Sequence, residues 1–229
     1  MNLPASLNLA LRRQTGTLAP DGPTIERFLQ YTQRRRYPSR ADIFRPGDAA
    51  GTLYYVIDGS VSILAEEDDN RELILGYFGP GEFVGEMGLF GSTSERREVT
   101  LRTRSACELA EIGCDQLLQL MSGPLAADAP RLLYGIGGQL ARRLRDTSRK
   151  ASRLAFLDVT DRITRTLHDL AEEPDAMSHP QGTQLRISRQ ELARLVGCSR
   201  EMAGRVLKKL QADGKLHARG KTLVLYGTR

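Results

Sequence analysis

The chain of 229 residues carries 33 Lys and Arg against 28 Asp and Glu, a net charge of +5. Its length allows one large domain or two small ones, and 40% hydrophobic residues without a membrane-length apolar run predict a globular cytoplasmic protein. Three cysteines and three histidines are scattered without metal-ligand spacing, which argues against a disulfide framework, an iron–sulfur cluster or any resident metal.

The sequence begins with a short apolar patch followed by arginines, which is the reverse of a secretory signal, and residues 1–22 are predicted to be a flexible tail. Residues 23–125 form a β-rich domain in which short runs such as GTLYYVIDGSVSILAEEDD are separated by glycines. The alternation on both sides of Asp58-Gly59 predicts a hairpin there. Several short strands at this spacing predict a small β-barrel or jelly roll.

One glycine-rich segment of this domain suggests more than a turn. Closely placed glycines around Gly85 and Glu86, with Arg97 eleven residues after Glu86, would let backbone amides and a guanidinium approach a phosphate. The segment is a weak motif by itself, and a simple turn explains each glycine equally well.

Residues 126–155 are predicted to form a long dimerisation helix and a hinge. Apolar or small residues recur there at spacings of three and four, as in a coiled coil: Leu133, Ile136, Leu140, Leu144, Thr147, Ala151 and Leu154. The alternative is an ordinary amphipathic helix that packs on its own domain.

Residues 156–229 are predicted to be a DNA-binding domain, because residues 186–229 show a helix, a tight turn, a second helix and a basic hairpin. Ser188 with Glu191 is a capping box for the first helix, and Gly197 ends it. Ser199 is an N-cap candidate for a second helix that runs to about residue 212.

Three side chains at the start of this second helix point away from its apolar seam: Arg200, Glu201 and Arg205. A recognition helix places its N-terminal side chains against base edges, where Arg reads guanine and Glu accepts from cytosine. The alternative is that Glu201 and Arg205 form an i,i+4 ion pair on a solvated face.

Charge distribution favours DNA as the partner. Residues 186–229 hold 11 basic and 3 acidic residues, whereas residues 1–150 hold 19 of each. A neutral body with a basic terminal module indicates a polyanion bound at that end. The predicted phosphate contacts are Arg189, Gln190, Ser199, Lys208, Arg219 and Lys221.

Many segments resemble the catabolite activator (CRP/FNR) family, and within it the CRP-like global regulators of xanthomonads and their relatives. They include RPGD, LYYVIDGSVSI, GEFVGEMGLF, ARRLRDTSRK, SRQELARLVGCSRE and HARGKT, and the resemblance covers residues 24–229. It implies an α+β fold: an N-terminal cyclic nucleotide-binding β-roll (jelly roll), a long dimerisation helix and a C-terminal winged helix-turn-helix. It also implies a homodimeric, sequence-specific transcription regulator, activator or repressor, and not an enzyme.

The resemblance also locates an effector pocket, at Gly85, Glu86, Arg97, Glu98, Arg143, Thr147 and Ser148. Glu98 replaces the small hydroxyl residue that cAMP-responsive members have, and a carboxylate about 4 Å from a cyclic phosphate costs about 1 kcal/mol or more. We therefore predict activity without cAMP, with a cAMP-activated regulator as the alternative.

The xanthomonad likeness implies cyclic di-GMP as an allosteric effector that releases DNA, with a role in virulence. Guanine is matched by carboxylates and arginines, and its phosphates by further arginines. Candidate contacts near the hinge are Arg149, Arg153, Asp161, Arg165 and Asp169. The alternative is that these residues form solvated ion pairs on helix surfaces.

Residues 176–183 resemble the family's activating surface for RNA polymerase, with Ser178, His179 and Gly182 as candidate contacts. The expected partners are thus promoter DNA with TGTGA-type half-sites, RNA polymerase, a second copy and a cyclic nucleotide. Two other classes predict different behaviour. A sensor acting through protein partners would bind DNA weakly and without sequence preference. A nucleotide-processing enzyme would need a nucleophile, a base or a metal cluster, which the sequence does not bring together.

Overall fold

The computed structural model describes residues 20–67, 71–91, 96–173 and 176–227. Their contacts divide the chain into two compact units. The N-terminal unit comprises the chain up to residue 66 together with residues 74–146, and the C-terminal unit comprises residues 67–73 and the chain from 147 onward. Within the described ranges, every helix is too short or too polar to cross a membrane.

The N-terminal unit is built mainly from strands. In chain order its described elements are α1 (Gly22–Leu29), β1 (Gln33–Tyr37), β2 (Asp42–Phe44), β3 (Thr52–Asp58), β4 (Val61–Glu67), β5 (Arg71–Phe78), β6 (Phe83–Val84), α2 (Met87–Phe90), β7 (Thr100–Thr103), β8 (Cys107–Gly113), α3 (Cys114–Met121) and the first part of α4 (Ala129–Phe156). The last residue of β4 and the first three residues of β5 are the exception, because they group with the C-terminal unit. One sheet has the order β1-β8-β3-β6 and the other β2-β7-β4-β5.

An aromatic cluster joins α1 to the first sheet. Phe28 of α1 meets Tyr55 and Phe83 with ring centroids 6.1 and 5.5 Å away, and the latter two rings are 4.9 Å apart. All three side chains are almost fully buried. Edge-to-face contacts of this kind add to the apolar burial that stabilises the unit.

The predicted hairpin at Asp58-Gly59 is wrong in its pairing. The turn exists, and Gly59 adopts φ +81°, but β3 and β4 belong to different sheets. A Cβ at Gly59 would collide with the carbonyl oxygen of Ala106, so the turn packs tightly against the start of β8. The alternation of apolar residues reports which face of each strand is buried, and it does not identify the partner strand.

The predicted tail is slightly too long at its end, while residues 1–19 lie outside the described part. Pro20 is buried, and Asp21 is the N-cap of α1, where its carboxylate accepts from the Thr24 N–H at 2.9 Å. Asp21 also pairs with Arg131. Residues 21 and 22 therefore belong to the N-cap and the start of α1 rather than to a tail.

The C-terminal unit combines a small sheet with packed helices. In chain order it continues from α4 with α5 (Val159–Ala171), β9 (Met177–His179), β10 (Gly182–Arg186), α6 (Arg189–Val196), α7 (Arg200–Ala212), β11 (Leu216–Arg219) and β12 (Thr222–Tyr226). The sheet order is β11-β12-β10-β9. The core gathers apolar side chains of α5, α6, α7 and the sheet.

The segment compared with the polymerase-contacting surface forms a β-hairpin. β9 pairs with β10, and Gly182 also pairs with Tyr226 of β12. At the turn, Nδ1 of His179 accepts from the Gln181 N–H at 3.2 Å. Backbone pairing thus holds Ser178 and His179 at the edge of the sheet.

The long helix α4 is only partly covered. Ile136 is buried in the core of the N-terminal unit and Leu140 packs against it, so these two do not belong to an exposed seam. Leu133, Leu144 and Leu154 are 39%, 69% and 40% exposed. The first turns therefore pack on the chain's own core, as the alternative interpretation expected, whereas the later turns present bare apolar side chains.

Candidate nucleic-acid interface and ligand sites

Local capping fixes the helix-turn-helix. The Ser188 hydroxyl accepts from the Glu191 N–H, and the Ser199 hydroxyl accepts from the Met202 N–H, both at 3.1 Å. Between them, Gly197 ends α6 in the left-handed conformation with φ +73°. These contacts satisfy N–H groups that a helix start leaves open, and glycine takes the positive φ without a Cβ penalty.

The buried face of α7 determines which side chains reach solvent. Its core positions are Ala203, Val206, Leu207 and Leu210. Arg200, Glu201, Arg205 and Lys208 are exposed on the other side. The helix therefore presents the predicted base-reading side chains together, as their spacing predicts.

A concave groove of about 650 Å³ runs along this face. It is lined by Arg189, Ser199, Arg200, Glu201, Gly204, Arg205 and Lys208. Arg189 extends from α6 across Gly204, where a Cβ would lie 3.6 Å from its Cδ. The structure thus brings six of the predicted DNA contacts into one groove, while Gln190, Arg219 and Lys221 lie outside its lining.

The charges of this groove have no internal partners in the described part of the chain. Neither Arg200, Glu201 nor Arg205 forms an ion pair there. The alternative interpretation of Glu201 and Arg205 as an i,i+4 pair is therefore not realised. Unpaired arginines beside a helix N-terminus are suited to bind phosphate oxygens and guanine edges.

The predicted phosphate-binding arginine of the β-roll faces inward. Arg97 is 6% exposed, donates to the carbonyls of Gly85 and Thr52, and lies 4.3 Å from the Phe44 ring centroid. Burial lowers the pKa of Arg97 from its ordinary value. Gly85 has φ +88°, and a Cβ there would lie 2.8 Å from the Thr52 oxygen, so this approach requires glycine.

A second buried pair lies beside it. Glu86, 7% exposed, pairs with Arg143 of α4 at 2.8 Å, and Arg143 also donates to the Phe83 carbonyl. The Arg143 guanidinium lies 4.1 Å from the Phe78 ring centroid. Four of the predicted pocket residues, Gly85, Glu86, Arg97 and Arg143, are thus gathered in the N-terminal unit, and the three charged groups among them are largely directed at the protein itself.

Sequence reasoning missed Gln139, which connects α4 to the pocket segment. Its side chain accepts from the Phe83 N–H at 2.8 Å and donates to the Gly81 carbonyl at 3.2 Å. It is 2% exposed. A polar residue between the apolar positions Ile136 and Leu140 was the signal that could have identified it, because buried amides are normally hydrogen-bonded.

The remaining predicted pocket residues are dispersed. Glu98 is exposed next to Arg97, while Thr147 and Ser148 are exposed and belong to the C-terminal unit. Residues 92–95, in the loop between Glu86 and Arg97, lie outside the described part. The contacts of Arg97 that the structure describes are with carbonyls and the Phe44 ring rather than with Glu98.

The hinge candidates occupy two helices of the C-terminal unit. Arg153 of α4 donates through both terminal nitrogens to the Asp169 carboxylate of α5, and this bond raises the pKa of Arg153. Asp161 and Arg165 share the exposed side of α5, and Arg149 precedes Arg153 by one turn. Lys150, which sequence reasoning passed over, is partly buried here, and burial lowers its pKa to about 8.

The described residues contain no group of three or more His, Cys, Asp or Glu side chains that could hold a metal ion. Cys107, Cys114 and Cys198 are free thiols, and burial raises the pKa of each.

Family models match both units. Residues 34–123 match the cyclic nucleotide-binding domain, and residues 185–216 match the crp family of bacterial regulatory proteins. The chain is 75% identical over 219 residues to the CRP-like protein Clp of Xanthomonas euvesicatoria pv. vesicatoria, covering 96% of this chain and 95% of that protein. The same identity and coverage hold for Clp of Xanthomonas campestris pv. campestris.

Solved structures give the same relationship. The structure described as the c-di-GMP responsive global regulator CLP of Xanthomonas campestris is 77% identical, with a TM-score of 0.87, and the match covers 91% of this chain and all of that one. A CRP/FNR-family regulator of Thermus thermophilus is 24% identical with a TM-score of 0.70, over 84% of this chain and 93% of the other. That second likeness concerns the fold alone.

Proposed function

This chain belongs to the crp family of bacterial transcription regulators, and within it to the CRP-like Clp proteins, and we propose that it binds TGTGA-type palindromes as a homodimer without cAMP. We further propose that cyclic di-GMP releases it from DNA. The observation that carries the proposal is the groove along α7, where the exposed Arg200, Glu201 and Arg205 have no ion pair in the described part of the chain.

The roles in DNA recognition follow from side-chain chemistry. Arg200 and Arg205 would each donate two hydrogen bonds to guanine O6 and N7, and Glu201 would accept from cytosine N4. Arg189, Gln190, Ser199, Lys208, Arg219 and Lys221 would contact phosphates, which supply register and salt-dependent affinity. Sequence preference then depends on the three residues of the first two turns of α7.

Exposed apolar side chains on α4 support a dimer. Leu144 is 69% exposed and Phe156 is 83% exposed, while Leu133 and Leu154 are about two-fifths exposed. A second copy packed along the same helix would remove these surfaces from water. Two recognition helices related by a two-fold axis match the symmetry of a palindromic site.

The surroundings of Arg97 support independence from cAMP. Its guanidinium already donates to two carbonyls, and Glu86 is paired with Arg143. A cyclic phosphate would have to break these contacts and would lie near the Glu98 carboxylate. The second candidate, a cAMP-activated regulator, is favoured by the gathering of Glu86, Arg97 and Arg143 inside the unit that matches the cyclic nucleotide-binding model.

Cyclic di-GMP is proposed as the effector because the CLP regulator of Xanthomonas campestris, which is 77% identical to this chain, is described as c-di-GMP responsive. The proposed contacts are Arg149, Arg153, Asp161, Arg165 and Asp169. Asp169 is held by Arg153, so a guanine that bonds to Asp169 would compete with that pair. If the ligand binds better once the Arg153–Asp169 pair between α4 and α5 is broken, it shifts the population away from the arrangement in which the pair is formed.

The hairpin β9–β10 is the proposed contact for RNA polymerase. Ser178 and His179 lie on β9, and Gly182 begins β10. Pairing with β12 gives this hairpin a fixed position beside the core of the winged helix. A rigid, exposed edge of this kind is suited to a protein contact that positions the polymerase at a promoter.

The proposal is tested by titrating a labelled TGTGA-N6-TCACA duplex with the purified protein, alone, with cAMP and with cyclic di-GMP. The expected result is specific binding without nucleotide, no requirement for cAMP, and loss of the complex with cyclic di-GMP. A specific complex that forms only with cAMP would instead support the second candidate.

The effector contacts are separated by variants. Arg165→Ala and Asp169→Ala should weaken cyclic di-GMP binding and leave DNA affinity without nucleotide nearly unchanged, because these residues lie outside the groove lining. Glu98→Ser should improve cAMP binding by removing the opposing charge. Calorimetry with both nucleotides measures each effect, and unchanged cyclic di-GMP affinity in both hinge variants would end the hinge proposal.

A further inference from the structure

The start of β5 contacts the helix-turn-helix. Glu72 and Leu73 of this strand group by their contacts with the C-terminal unit. Within that unit, Oε2 of Glu72 lies 2.8 Å from a terminal nitrogen of Arg194 on α6, and only 15% of the Glu72 side chain is exposed. The pair is thus partly removed from solvent, where opposite charges attract more strongly than on an open surface.

An apolar contact lies next to this ion pair. A Cβ placed at Gly197 would lie 3.5 Å from Cδ1 of Leu73 and 3.4 Å from Cδ2 of Leu154, so both leucines approach the turn between α6 and α7. Gly197 holds the left-handed conformation that ends α6 and allows α7 to start at its Ser199 cap. Residues 72 and 73 therefore contact the helix and the turn that come directly before the recognition helix.

The contact leaves the DNA groove open. The lining of the groove includes neither Arg194 nor Glu72 and Leu73. An effect of Glu72 on DNA binding would consequently be transmitted through the position of α6 and α7, since Glu72 has no place among the DNA contacts.

We propose that Glu72 and Arg194 are positioning residues for DNA recognition. Their ion pair, supported by Leu73, holds α6 and the turn at Gly197 in the arrangement that presents Arg200, Glu201 and Arg205 to the bases. The inference rests on the proposed DNA-binding function, because it concerns the same recognition helix.

Charge alone predicts the opposite result, which makes the idea testable. Removing the negative charge of Glu72 reduces repulsion of DNA, so simple electrostatics predicts tighter binding to every sequence. Loss of positioning predicts weaker binding to the palindrome and little change on random DNA. The two explanations therefore differ in sign for Glu72→Gln.

The experiment measures the affinity of the full-length protein for the palindrome and for a scrambled duplex at one salt concentration. Glu72→Gln should lose about three- to tenfold on the palindrome only, a size typical of one partly exposed ion pair. The exchange Glu72→Arg with Arg194→Glu should restore the ratio between the two duplexes. Glu66→Gln is the matched control, because Glu66 lies on β4 and pairs with Arg102 instead.

Thermal unfolding of each variant separates positioning from loss of the fold. Equal or tighter binding of Glu72→Gln to the palindrome, or a charge exchange that restores nothing in a folded protein, would overturn the inference. If wild-type protein shows no preference for the palindrome, the proposed function fails instead, and the two failures are therefore distinct.

Discussion

Three arginines of the N-terminal unit are directed at groups of the protein itself, whereas the arginines of the recognition helix face solvent. Arg27 binds the buried Asp128, Arg143 binds Glu86, and Arg97 binds two carbonyls. Arg200 and Arg205 are exposed and form no ion pair in the described part of the chain. The number of arginines therefore does not locate a nucleic-acid surface, and the absence of internal partners is the better indicator.

The largest expected effect concerns the inward arginines. Arg143→Met removes the partner of the buried Glu86 and should lower the free energy of unfolding by about 3 kcal/mol, since a buried carboxylate loses its compensation. Denaturant unfolding measures the loss. Arg142→Met, an exposed neighbour on α4, is the control and should change stability little. A loss of equal size in both variants would contradict the assignment of Arg143 to an internal role.

The next effect concerns the outward arginines. Arg205→Ala or Arg200→Ala should cost about 1–3 kcal/mol on the palindrome and reduce discrimination at one guanine, with stability unchanged. Competition with single-base variants of the duplex measures this. Lys209→Ala serves as the control because Lys209 lies on α7 outside the groove lining. If palindrome and random DNA lose affinity in the same proportion, α7 does not read bases through these arginines.

A smaller and uniform effect is expected at the phosphate contacts. Lys208→Ala, and Lys221→Ala in the turn between β11 and β12, should weaken binding to all sequences alike and reduce the slope of log affinity against log salt by about one. Titrations at several salt concentrations give the slope. A change in sequence preference without a change in slope would place these lysines on bases instead.

The smallest effect is a pH dependence of the N-terminal unit. A backbone N–H of Thr24 lowers the pKa of Asp21, Arg102 lowers the pKa of Asp42, and Arg27 lowers the pKa of Asp128. These carboxylates stabilise the fold above their ordinary pKa of about 3.9, and the contribution disappears as pH falls through the lowered values. Between pH 5 and pH 3, the melting temperature of Asp128→Asn should fall less than that of the wild-type protein. An identical fall in both proteins would show that Asp128 does not contribute to the pH dependence of stability.

Local signals in the sequence predicted the helix-turn-helix well. Ser188, Gly197 and Ser199 act within a few residues of themselves, so caps and turn could be assigned from the residue types alone. The periodicity of α7 likewise assigned Arg200 and Arg205 to its solvent face.

Long-range contacts of the β-roll could not be predicted in this way. The partners of Arg97 are the carbonyls of Gly85 and Thr52, which lie 12 and 45 residues away in the sequence. Because the Arg side chain is flexible, its hydrogen-bond partners depend on which groups the fold brings near it. The crossing between sheets at Gly59 has the same origin, because the apolar pattern of a strand does not specify its neighbour. Gln139 was missed since its hydrogen bonds to Phe83 and Gly81 depend on how α4 packs.

The most direct test of the account is the ratio of affinities of the wild-type protein, without any nucleotide, for the TGTGA palindrome and for a scrambled duplex at physiological salt. A ratio of about 1,000 or more is predicted, the lower bound for specific DNA-binding proteins. A ratio near one without nucleotide would contradict the central claim that the unpaired arginines of α7 read DNA sequence in the effector-free protein.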